Sequence, residues 1–398
     1  MLNYILAVKI SDMERTYEEI NEKIKTHKAQ VLTALEAKEL IKEKGIKYLL
    51  NNVDIVVFAN FEMNTNALLY LSFGQTDPLI YFSGAYINNV LAYALGPTDL
   101  ALSCVAYSTE NPEYGGAHVI EELVKGKDVH LKAQGKNLDV FPNKEFETWF
   151  NVKQLNQGRL LLNQAINQNN IVATNSGNKD INSHMGTLIG QLENSTFNSS
   201  SYLNPLINDP FCKTIGIGTN IWVSGAKGLI VGHGSNHNPM QKRNSYNIPT
   251  GPGITLSVVA DIEGMNPKWV RGGFLKSFGP VLYVGIGVPI PVLSEEIAEN
   301  IAITDDKIHT TIVDFSIPRR TKPTFGQCTY NELRTSTVII NKKPTLAAPL
   351  SSMAFGVEIC KSLKEAIVKA EFYLARPTSL VDLHTELKKL DSRLGELV

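Results

Sequence analysis

The sequence predicts an α/β protein built from mixed sheets with flanking helices and with further helices at the C-terminus. Three observations predict it: a helix–strand–helix–strand order in the first 60 residues, a strand-rich pattern after residue 60, and helical periodicity after residue 351. Helices and strands that follow one another in this way favour layered α/β packing, because each element must bury one apolar face against another.

The first 60 residues carry clear helix and strand signals. Thr16 with Glu19 and Thr33 with Glu36 each show the hydroxyl-then-carboxylate spacing of a capping box, and both pairs precede apolar residues at helical spacing. The apolar run within residues 54–59 is typical of a strand that is buried on both faces. Two helices and a buried strand are therefore predicted here.

Polar and glycine-rich segments occupy the middle of the chain. Residues 154–170 combine many Asn and Gln side chains with scattered leucines, which predicts a helix with one polar face. Residues 191–210 are rich in Asn and Ser and are predicted to form a loop. The glycines of residues 215–239 allow the backbone to approach a ligand closely, or they form turns and bulges between strands.

The C-terminal region predicts two helical segments. A long helix begins near Ser351, with apolar side chains from Met353 to Ile367 on one stripe. We expect a single large domain over residues 1–372 and a helical tail over 373–398. The tail either forms a two-chain coiled coil that makes a homo-oligomer or packs on the domain itself. Its leucines recur at spacings of three and four, at Leu380, Leu383, Leu387, Leu390, Leu394 and Leu397.

Composition excludes several classes of protein. The 398 residues are 43% hydrophobic and 19% charged, which is typical of a globular chain with a large core. The net charge of −1 argues against nucleic acid and anionic membranes as partners, because both require a basic excess. No apolar stretch reaches the roughly 20 residues of a membrane span. Residues 2–8 predict a strand or docking arm and no signal peptide, so we expect a cytoplasmic protein.

The cysteine pattern argues against metal and redox motifs. The four cysteines stand singly at 104, 212, 328 and 360, without a Cys-x-x-Cys pair. This spacing does not support a zinc ribbon, an iron–sulfur loop or a thioredoxin-type motif, and it fits a reducing compartment. We predict no resident metal and no cofactor.

One candidate site lies at a predicted helix start. Tyr114, Gly115, Gly116 and His118 form a glycine turn that leads into a helix. Free backbone N–H groups at such a start bind carboxylate or phosphate, and a histidine there can exchange a proton near neutral pH. The alternative is an ordinary glycine turn with a half-buried histidine.

A second candidate is the densest polar cluster in the chain, which contains His233, His237 and Asn238. Two histidines four residues apart can bind a metal on a helix, but glycines flank the first and no acidic residue completes a ligand set. Hydrogen bonding to a substrate is the better interpretation.

Two further pairs are candidates for anion binding. Arg319 and Arg320 follow a proline and can clamp a carboxylate in bidentate fashion, or they form a solvated surface pair. Ser351 and Ser352 precede the long helix and are natural N-caps, with anion binding at the same helix start as the functional alternative.

Taken together, motifs spread over residues 16–372 resemble the homocysteine-biosynthesis family. They occur in the family's order, and agreement over so many separate motifs is more specific than any one of them. They are Glu18-Glu19-Ile20-Asn21, Phe73-Gly74 with Asp77-Pro78, Asn88-Asn89-Val90, residues 114–126, Asn204-Pro205-Leu206, residues 216–219, His237-Asn238-Pro239, Met265-Asn266-Pro267-Lys268, residues 283–293, Pro318-Arg319-Arg320 and the Ser351-Ser352 helix.

The resemblance implies a metabolic enzyme that places reduced sulfur on aspartate semialdehyde to make homocysteine. Cysteine thiols would carry the sulfur, and an iron–sulfur partner or an appended domain would supply electrons. A thiolate or persulfide is a strong nucleophile and an aldehyde is a good electrophile, so this chemistry is sensible. No iron–sulfur motif follows residue 372.

The sequence departs from the family at the two positions that would carry the sulfur. The resemblance implies one cysteine before Phe73-Gly74 and another between an Asp and an aromatic–Pro pair, where this chain has Thr65 and Val140. Neither side chain can hold a persulfide. Cys104 is a candidate for a relocated thiol, with an inert buried cysteine as the stronger alternative.

Two hypotheses follow. In the first, the chain is a diverged enzyme, of specialised metabolism for example, that acts on a carboxylate-bearing carbonyl compound by condensation, cyclisation or elimination. The catalytic groups would be His118, His237 and Tyr114. Substrate binding would use the 115–116 backbone, Asn238, the arginine pair and the serine pair. In the second, the chain is a non-catalytic ligand-binding protein or partner subunit.

Overall fold

The computed structural model describes residues 15–198, 200–388 and 390, so the prediction for residues 2–8 lies outside the described residues. Among these residues, no helix combines the length and the apolar character that crossing a membrane would need. The helices, in chain order, are α1 (Tyr17–Lys25), α2 (Ala34–Lys44), α3 (Ile46–Asn52), α4 (Gly116–Val124), α5 (Pro205–Asn208), α6 (Glu295–Ile301), α7 (Tyr330–Leu333) and α8 (Met353–Val368).

The strands form most of the regular structure. In chain order they are β1 (Val31–Thr33), β2 (Ile55–Asn64), β3 (Ala67–Ser72), β4 (Phe82–Ile87), β5 (Val90–Ala94), β6 (Asp99–Ser103), β7 (Val129–Gly135), β8 (Glu145–Phe150), β9 (Gln157–Asn167), β10 (Val172–Thr174), β11 (Ile181–Ser183), β12 (Gly186–Leu188), β13 (Asn194–Phe197), β14 (Asn220–Val223), β15 (Ala226–His233), β16 (Thr255–Asp261), β17 (Val270–Leu275), β18 (Gly279–Pro291), β19 (His309–Asp314), β20 (Thr324–Thr329), β21 (Thr337–Ile340) and β22 (Lys343–Pro349).

Two mixed sheets organise these strands. The large sheet has the order β1-β2-β18-β14-β15-β16-β9-β3-β6-β5-β4-β7-β8, with β17 also paired to β18. The small sheet has the order β20-β19-β10-β13-β22-β21, and β11 pairs with β12 separately. Helix α8 packs on β2 and β18, where Gly285 and Gly287 leave room for the side chains of Ile359 and Leu363.

Each sheet has its own apolar core. The large core takes residues from Tyr17 to Val381, whereas the smaller one is formed by residues between Val172 and Ala347. The residues of the small core therefore fall, in sequence, between residues that belong to the large core. Whether residues 1–372 are one domain stays a prediction.

The predicted α/β class with mixed sheets, flanking helices and a long helix near the C-terminus is confirmed. Both capping boxes form, because Thr16 and Thr33 accept the N–H groups of Glu19 and Glu36 while each glutamate reaches back to its cap. Helix α8 begins after Ser352, whose side chain accepts the N–H of Phe355.

The prediction of a helix over residues 154–170 is wrong, since residues 157–167 form β9. Leu160 and Leu162 are buried at a spacing of two, and β9 pairs with β3 on one side and β16 on the other. The Asn and Gln side chains disguise a strand period, and pairing on both sides outweighs the weak local preference of these residues. The predicted loop at 191–210 contains β13 and the short α5.

The helical tail predicted for residues 373–398 is also wrong over residues 373–388, where the structure contains no helix. Leu374 and Val381 are buried and Leu383 packs against the large core, so this part of the tail packs on its own chain. A coiled coil and a homo-oligomer made through the tail stay predictions, since residues 391–398 lie outside the described residues.

Gly216 and Gly218 lie in close contact with residues 377–379 of this C-terminal segment. Ile217 donates to the carbonyl of Ser379 and accepts from the N–H of Thr378, over 3.1 and 2.8 Å. A Cβ atom at Gly216 would lie 2.7 Å from the oxygen of Ser379, and Gly218 has a φ of +88° beside Thr378. The glycine-rich run therefore accommodates the chain's own backbone at these positions.

We expect Gly218→Ala to loosen the C-terminal segment. The positive φ and the contact with Thr378 should cost about 1–3 kcal/mol of unfolding free energy. Urea denaturation would measure this loss, and hydrogen exchange of residues 374–382 should speed up. Gly232→Ala is the matched control, because a Cβ there has open space and an ordinary φ. Equal stability in the two variants would contradict the conclusion that Gly218 is needed for packing of the C-terminal segment.

Candidate active site

The predicted glycine turn does form the start of α4, but its N–H groups are already engaged. Gly116 and Ala117 donate to the carbonyl oxygens of Ala106 and Cys104, both over 2.8 Å, and the next two N–H groups donate to Gly115. A Cβ at Gly116 would lie 1.9 Å from the oxygen of Ser103. This helix start therefore binds the end of β6, which leaves its first-turn donors unavailable to an anion.

Tyr114 and His118 lie together on this helix start. Their rings stack with centroids 5.1 Å apart, and Nδ1 of His118 accepts the N–H of Gly115 over 3.1 Å. Burial lowers the pKa of His118, and the nearby Glu121 and Glu122 oppose that shift. The hydroxyl of Tyr114 donates to Glu122 over 2.7 Å, so it is occupied by a side chain of its own helix.

His237 and Asn238 occupy a different place, under the C-terminal segment. His237 is buried, and its Nε2 lies 2.8 Å from the carbonyl of Asp382. That contact requires the proton on Nε2, so Nδ1 accepts from the N–H of Thr255 at 3.2 Å. The side chain of Asn238 donates to Gln241. Both ring nitrogens of His237 thus make hydrogen bonds to the backbone, and they connect the start of β16 to the C-terminal segment.

Arg319 and Arg320 lie in the exposed connection between β19 and β20. Within the described part of the chain, neither guanidinium takes part in an ion pair. The nearby carboxylate of Asp314 accepts instead from Ser176 and Ser316. The arginine pair therefore has a solvated environment.

The predicted groups lie on different elements, with His118 on α4, His237 after β15 and the arginine pair between β19 and β20. In β9, Leu162 pairs with Ala67 at the start of β3, which lies near α4. Asn167, further along β9, pairs with Thr255, whose N–H donates to His237. Five residues of strand separate these points, which is roughly 16 Å. Among the described residues, no hydrogen bond or ring contact joins His118, His237 and the arginine pair. Their roles at a common site stay predictions.

The serine pair leads to a site that the motifs did not identify. Ser352 donates its N–H to the carbonyl of Phe61 over 3.2 Å, and Leu350 donates to Phe197 over 2.7 Å. These bonds place the start of α8 against the middle of β2 and the end of β13. Here β2 turns one face of polar side chains inward.

That inward face of β2 carries Asn60, Glu62 and Asn64, which are all buried at alternating positions. Glu62 is 2% exposed, and its Oε1 accepts both the N–H and the hydroxyl of Ser200 at 2.9 Å. Asn198, two residues before Ser200, is buried as well. We call Asn60, Glu62, Asn64, Asn198 and Ser200 the Glu62 cluster.

Burial raises the pKa of Glu62 to about 7, although the two hydrogen bonds from Ser200 favour the charged form. Removing a carboxylate from water disfavours its ionised state, and no cation neutralises it among the described ion pairs. A carboxyl group of this kind changes its protonation near neutral pH, which is the property that general acid–base catalysis requires.

Three amide oxygens of the Glu62 cluster are buried without a hydrogen-bond partner among the described residues. They are Oδ1 of Asn60, Asn64 and Asn198. The amide NH₂ groups of Asn60 and Asn64 donate to the carbonyls of Ala165 and Glu62, which fixes the orientation of both amides. Buried polar groups almost always have partners, so the unpartnered acceptors on the strand that carries Glu62 make this face of β2 a candidate site.

Sequence reasoning missed this cluster although a signal exists. The apolar run that predicts β2 ends at Ala59, but the strand continues to Asn64 with polar residues at every second position. Alternation in a strand places those side chains on one face. A buried strand that carries two Asn and one Glu on one face is unusual enough to have indicated a site.

The two positions where the family resemblance implies cysteines, Thr65 and Val140, lie at different ends of β3. Thr65 is half-buried and follows Asn64 directly, with the buried Cys104 beneath the same turn. Val140 is 71% exposed at the hairpin tip between β7 and β8, where Phe141 contacts Tyr81. Strand β3 runs between these two ends, over roughly 20 Å for its six residues.

The environment of the four described cysteines favours the alternative of inert buried thiols. All four are buried and unpaired, and burial raises the pKa of the Cys104 thiol to about 11. No group of three metal-ligating side chains occurs among the described residues, so the residues present do not fit an iron–sulfur cluster.

Fold and site together define an α/β protein of two mixed sheets with an ionisable carboxyl buried between them. The chain belongs to the family of homocysteine biosynthesis enzymes of sulfur incorporation, whose model matches residues 29–374. No solved structure matches the chain.

Three relatives locate the chain within this family. It is 37% identical over 378 residues to an L-aspartate semialdehyde sulfurtransferase of Methanocaldococcus jannaschii. This match covers 90% of this chain and 72% of the relative. It is 33% identical over 380 residues to the protein of that name from Methanosarcina acetivorans, which covers 95% and 74%. An uncharacterised protein of Methanothermobacter thermautotrophicus is 25% identical over 317 residues, which covers 76% and 68%.

We expect Glu62→Gln to change the pH dependence of stability. Between pH 4.5 and 7, Glu62 is ionised in the unfolded chain and protonated in the native protein, so its contribution to the unfolding free energy falls as the pH rises. A rise of the pKa from 4.5 to about 7 corresponds to about 3 kcal/mol. Urea denaturation should show the variant gaining about this much on the wild type across the interval.

The exposed Glu39, changed to Gln, is the control for that measurement, and its stability should follow the wild type at every pH. A constant difference between Glu62→Gln and the wild type from pH 4.5 to 7.5 would show that the carboxyl titrates normally.

Proposed function

We propose that this chain is an enzyme that acts on a small amino-acid-derived carbonyl compound, such as aspartate semialdehyde, by proton transfer at Glu62. The observation that supports this most directly is a buried carboxyl group with a pKa of about 7 beside unpartnered amide oxygens. The substrate class comes from the two sulfurtransferase relatives, whose names specify L-aspartate semialdehyde.

The position of the Glu62 cluster adds a second argument. Asn64 directly precedes Thr65, where the family resemblance places a sulfur-carrying cysteine. A site that remains beside a lost thiol retains its means of moving protons. On this proposal the thiol-dependent transfer has been replaced by chemistry that requires only acid–base groups.

The proton transfer follows ordinary carbonyl chemistry. Ionised Glu62 takes a proton from the carbon beside the carbonyl group, and the electron pair of that C–H bond passes into an enolate. In condensation, or in cyclisation within one molecule, the enolate carbon attacks a carbonyl carbon, and the carboxyl group returns its proton to the resulting alkoxide. In elimination the enolate expels the neighbouring amino group, which leaves as ammonia and takes up that proton. Typical acid–base contributions are about 10²–10⁴-fold in rate.

We expect the wild-type protein to consume L-aspartate semialdehyde in the absence of sulfide, and Glu62→Gln to lose at least about 100-fold in kcat. Proton NMR would follow the aldehyde signal, and mass spectrometry would identify the product. Glu39→Gln, which changes an exposed carboxylate, should keep the wild-type rate.

Other outcomes of this assay are equally informative. Consumption at the same rate by Glu62→Gln would remove the carboxyl from the mechanism. Homocysteine formed on addition of sulfide together with a two-electron reductant, which the conversion of the aldehyde carbon to a CH₂–SH group requires, would show that sulfur transfer persists without cysteines at 65 and 140. Binding of the semialdehyde without product would favour a ligand-binding protein or partner subunit.

A further inference from the structure

We infer that the Glu62 cluster binds the ammonium group of its ligand, through the oxygen atoms of Glu62 and Asn64. This inference rests on the proposed function, because it specifies which end of the substrate faces β2. The carboxylate binding expected from the sequence concerned other residues, such as Arg319 and Arg320.

The first argument is the chemistry of the buried atoms that have no partner. The amide oxygens of Asn64 and Asn198 accept hydrogen bonds and cannot donate them. The NH₂ group of Asn64 is already donated to the carbonyl of Glu62, so the amide cannot turn to offer a donor instead. Glu62 adds a carboxyl group whose Oε1 is engaged by Ser200. Such a set attracts hydrogen-bond donors and positive charge, and it repels a carboxylate.

The second argument is the spacing along the strand. Glu62 and Asn64 are two residues apart on one face of β2, which is roughly 7 Å between Cα atoms and within reach of one small ligand. The Cα atom of Asn60 lies roughly 13 Å from that of Asn64, on the other side of Glu62, and its side chain hydrogen bonds to the Glu62 carboxyl. The ammonium site therefore lies at the Thr65 end of β2, and the oxygen of Asn60 is outside it.

The chain itself provides an example of this chemistry. The ammonium group of Lys38 donates to Oδ1 of Asn208 over 3.1 Å and to the carbonyl oxygens of Ile301 and Ile303. Three uncharged oxygens thus bind this amino group, although burial lowers the pKa of Lys38 to about 7 and the carboxylate of Asp305 only partly offsets that shift. The Glu62 cluster offers the amide oxygen of Asn64 beside a carboxyl group.

An ammonium at this place suits the chemistry proposed for Glu62. In aspartate semialdehyde the carbon that bears the amino group is bonded to the carbon beside the aldehyde. A carboxyl group that contacts the ammonium is therefore near the proton that has to leave. The ligand class is a small primary amine with a carbonyl two carbons from the amino carbon.

Calorimetry with two stable probes tests the inference. L-homoserine carries the ammonium group, and 4-hydroxybutyrate is the same molecule without it. We expect L-homoserine to bind at least about 10-fold more tightly, as one charge-assisted hydrogen bond predicts. Equal affinities, or no binding of L-homoserine, would overturn the inference.

Two variants of one residue sharpen the test. Asn64→Leu removes the oxygen and should reduce the affinity for L-homoserine about 10-fold while leaving that for 4-hydroxybutyrate unchanged. Asn64→Asp keeps an oxygen in nearly the same shape and should retain the preference for the amine. If ordered water fills the site instead, both variants will change the two affinities equally, which would also overturn the inference. Thermal melting verifies that each variant is folded.

Turnover separates this inference from the proposed function. If L-aspartate semialdehyde and succinate semialdehyde, which lacks the amino group, react at the same rate, the ammonium site is wrong and the proposed function stands. If L-homoserine binds with the expected dependence on Asn64 but neither aldehyde reacts, the ammonium site stands and the proposed function is wrong.

Discussion

The contact between Glu62 and Ser200 governs the arrangement of the site. A carboxyl group at 2% exposure is expensive to ionise, and its hydrogen bonds come from a segment that leaves the small sheet after β13. The neighbouring Ser201 has a φ of +56° and donates its hydroxyl to Asp305, which also accepts the N–H of Tyr202. Carboxyl groups on both sides therefore hold this short serine segment in one conformation. The large sheet, the small sheet and the start of α8 all meet where it is held.

The same physical logic explains the density of Asn side chains around this junction. Irregular backbone that runs through a protein interior leaves carbonyl oxygens without ladder partners, and each must be satisfied. Gln168 donates to the carbonyls of Leu206 and Pro210, and Asn204 donates to that of Asn167. These amides substitute for strand pairing. Against that background, the free oxygens at Asn64 and Asn198 stand out, because the surrounding chain leaves so little else unsatisfied.

Local rules predicted the elements whose determinants are close in sequence. The capping boxes at Thr16 and Thr33 and the cap at Ser352 depend on residues three positions apart, and all three form. The strand β9 and the C-terminal segment were not predictable in this way, because their conformation depends on pairing with β3, β16 and the glycines near Ile217. The site could not be predicted for the same reason. Its members come from β2 and from residues 198–200, and only the fold brings them together.

The nature of the groups beside Thr65 bears on what kind of chemistry this chain retains. A sulfur carrier works as a thiolate, and a nearby carboxylate raises the pKa of a thiol through like-charge repulsion. A buried carboxyl that titrates near neutral pH is suited to proton transfer instead, and an ammonium ligand would favour its ionised, basic form. On our proposal, replacement of the cysteine at position 65 therefore removes the nucleophile and leaves a base that is charged by its own substrate. Binding and activation would then be a single event, since the ligand that brings the acidic C–H bond also brings the cation that ionises Glu62.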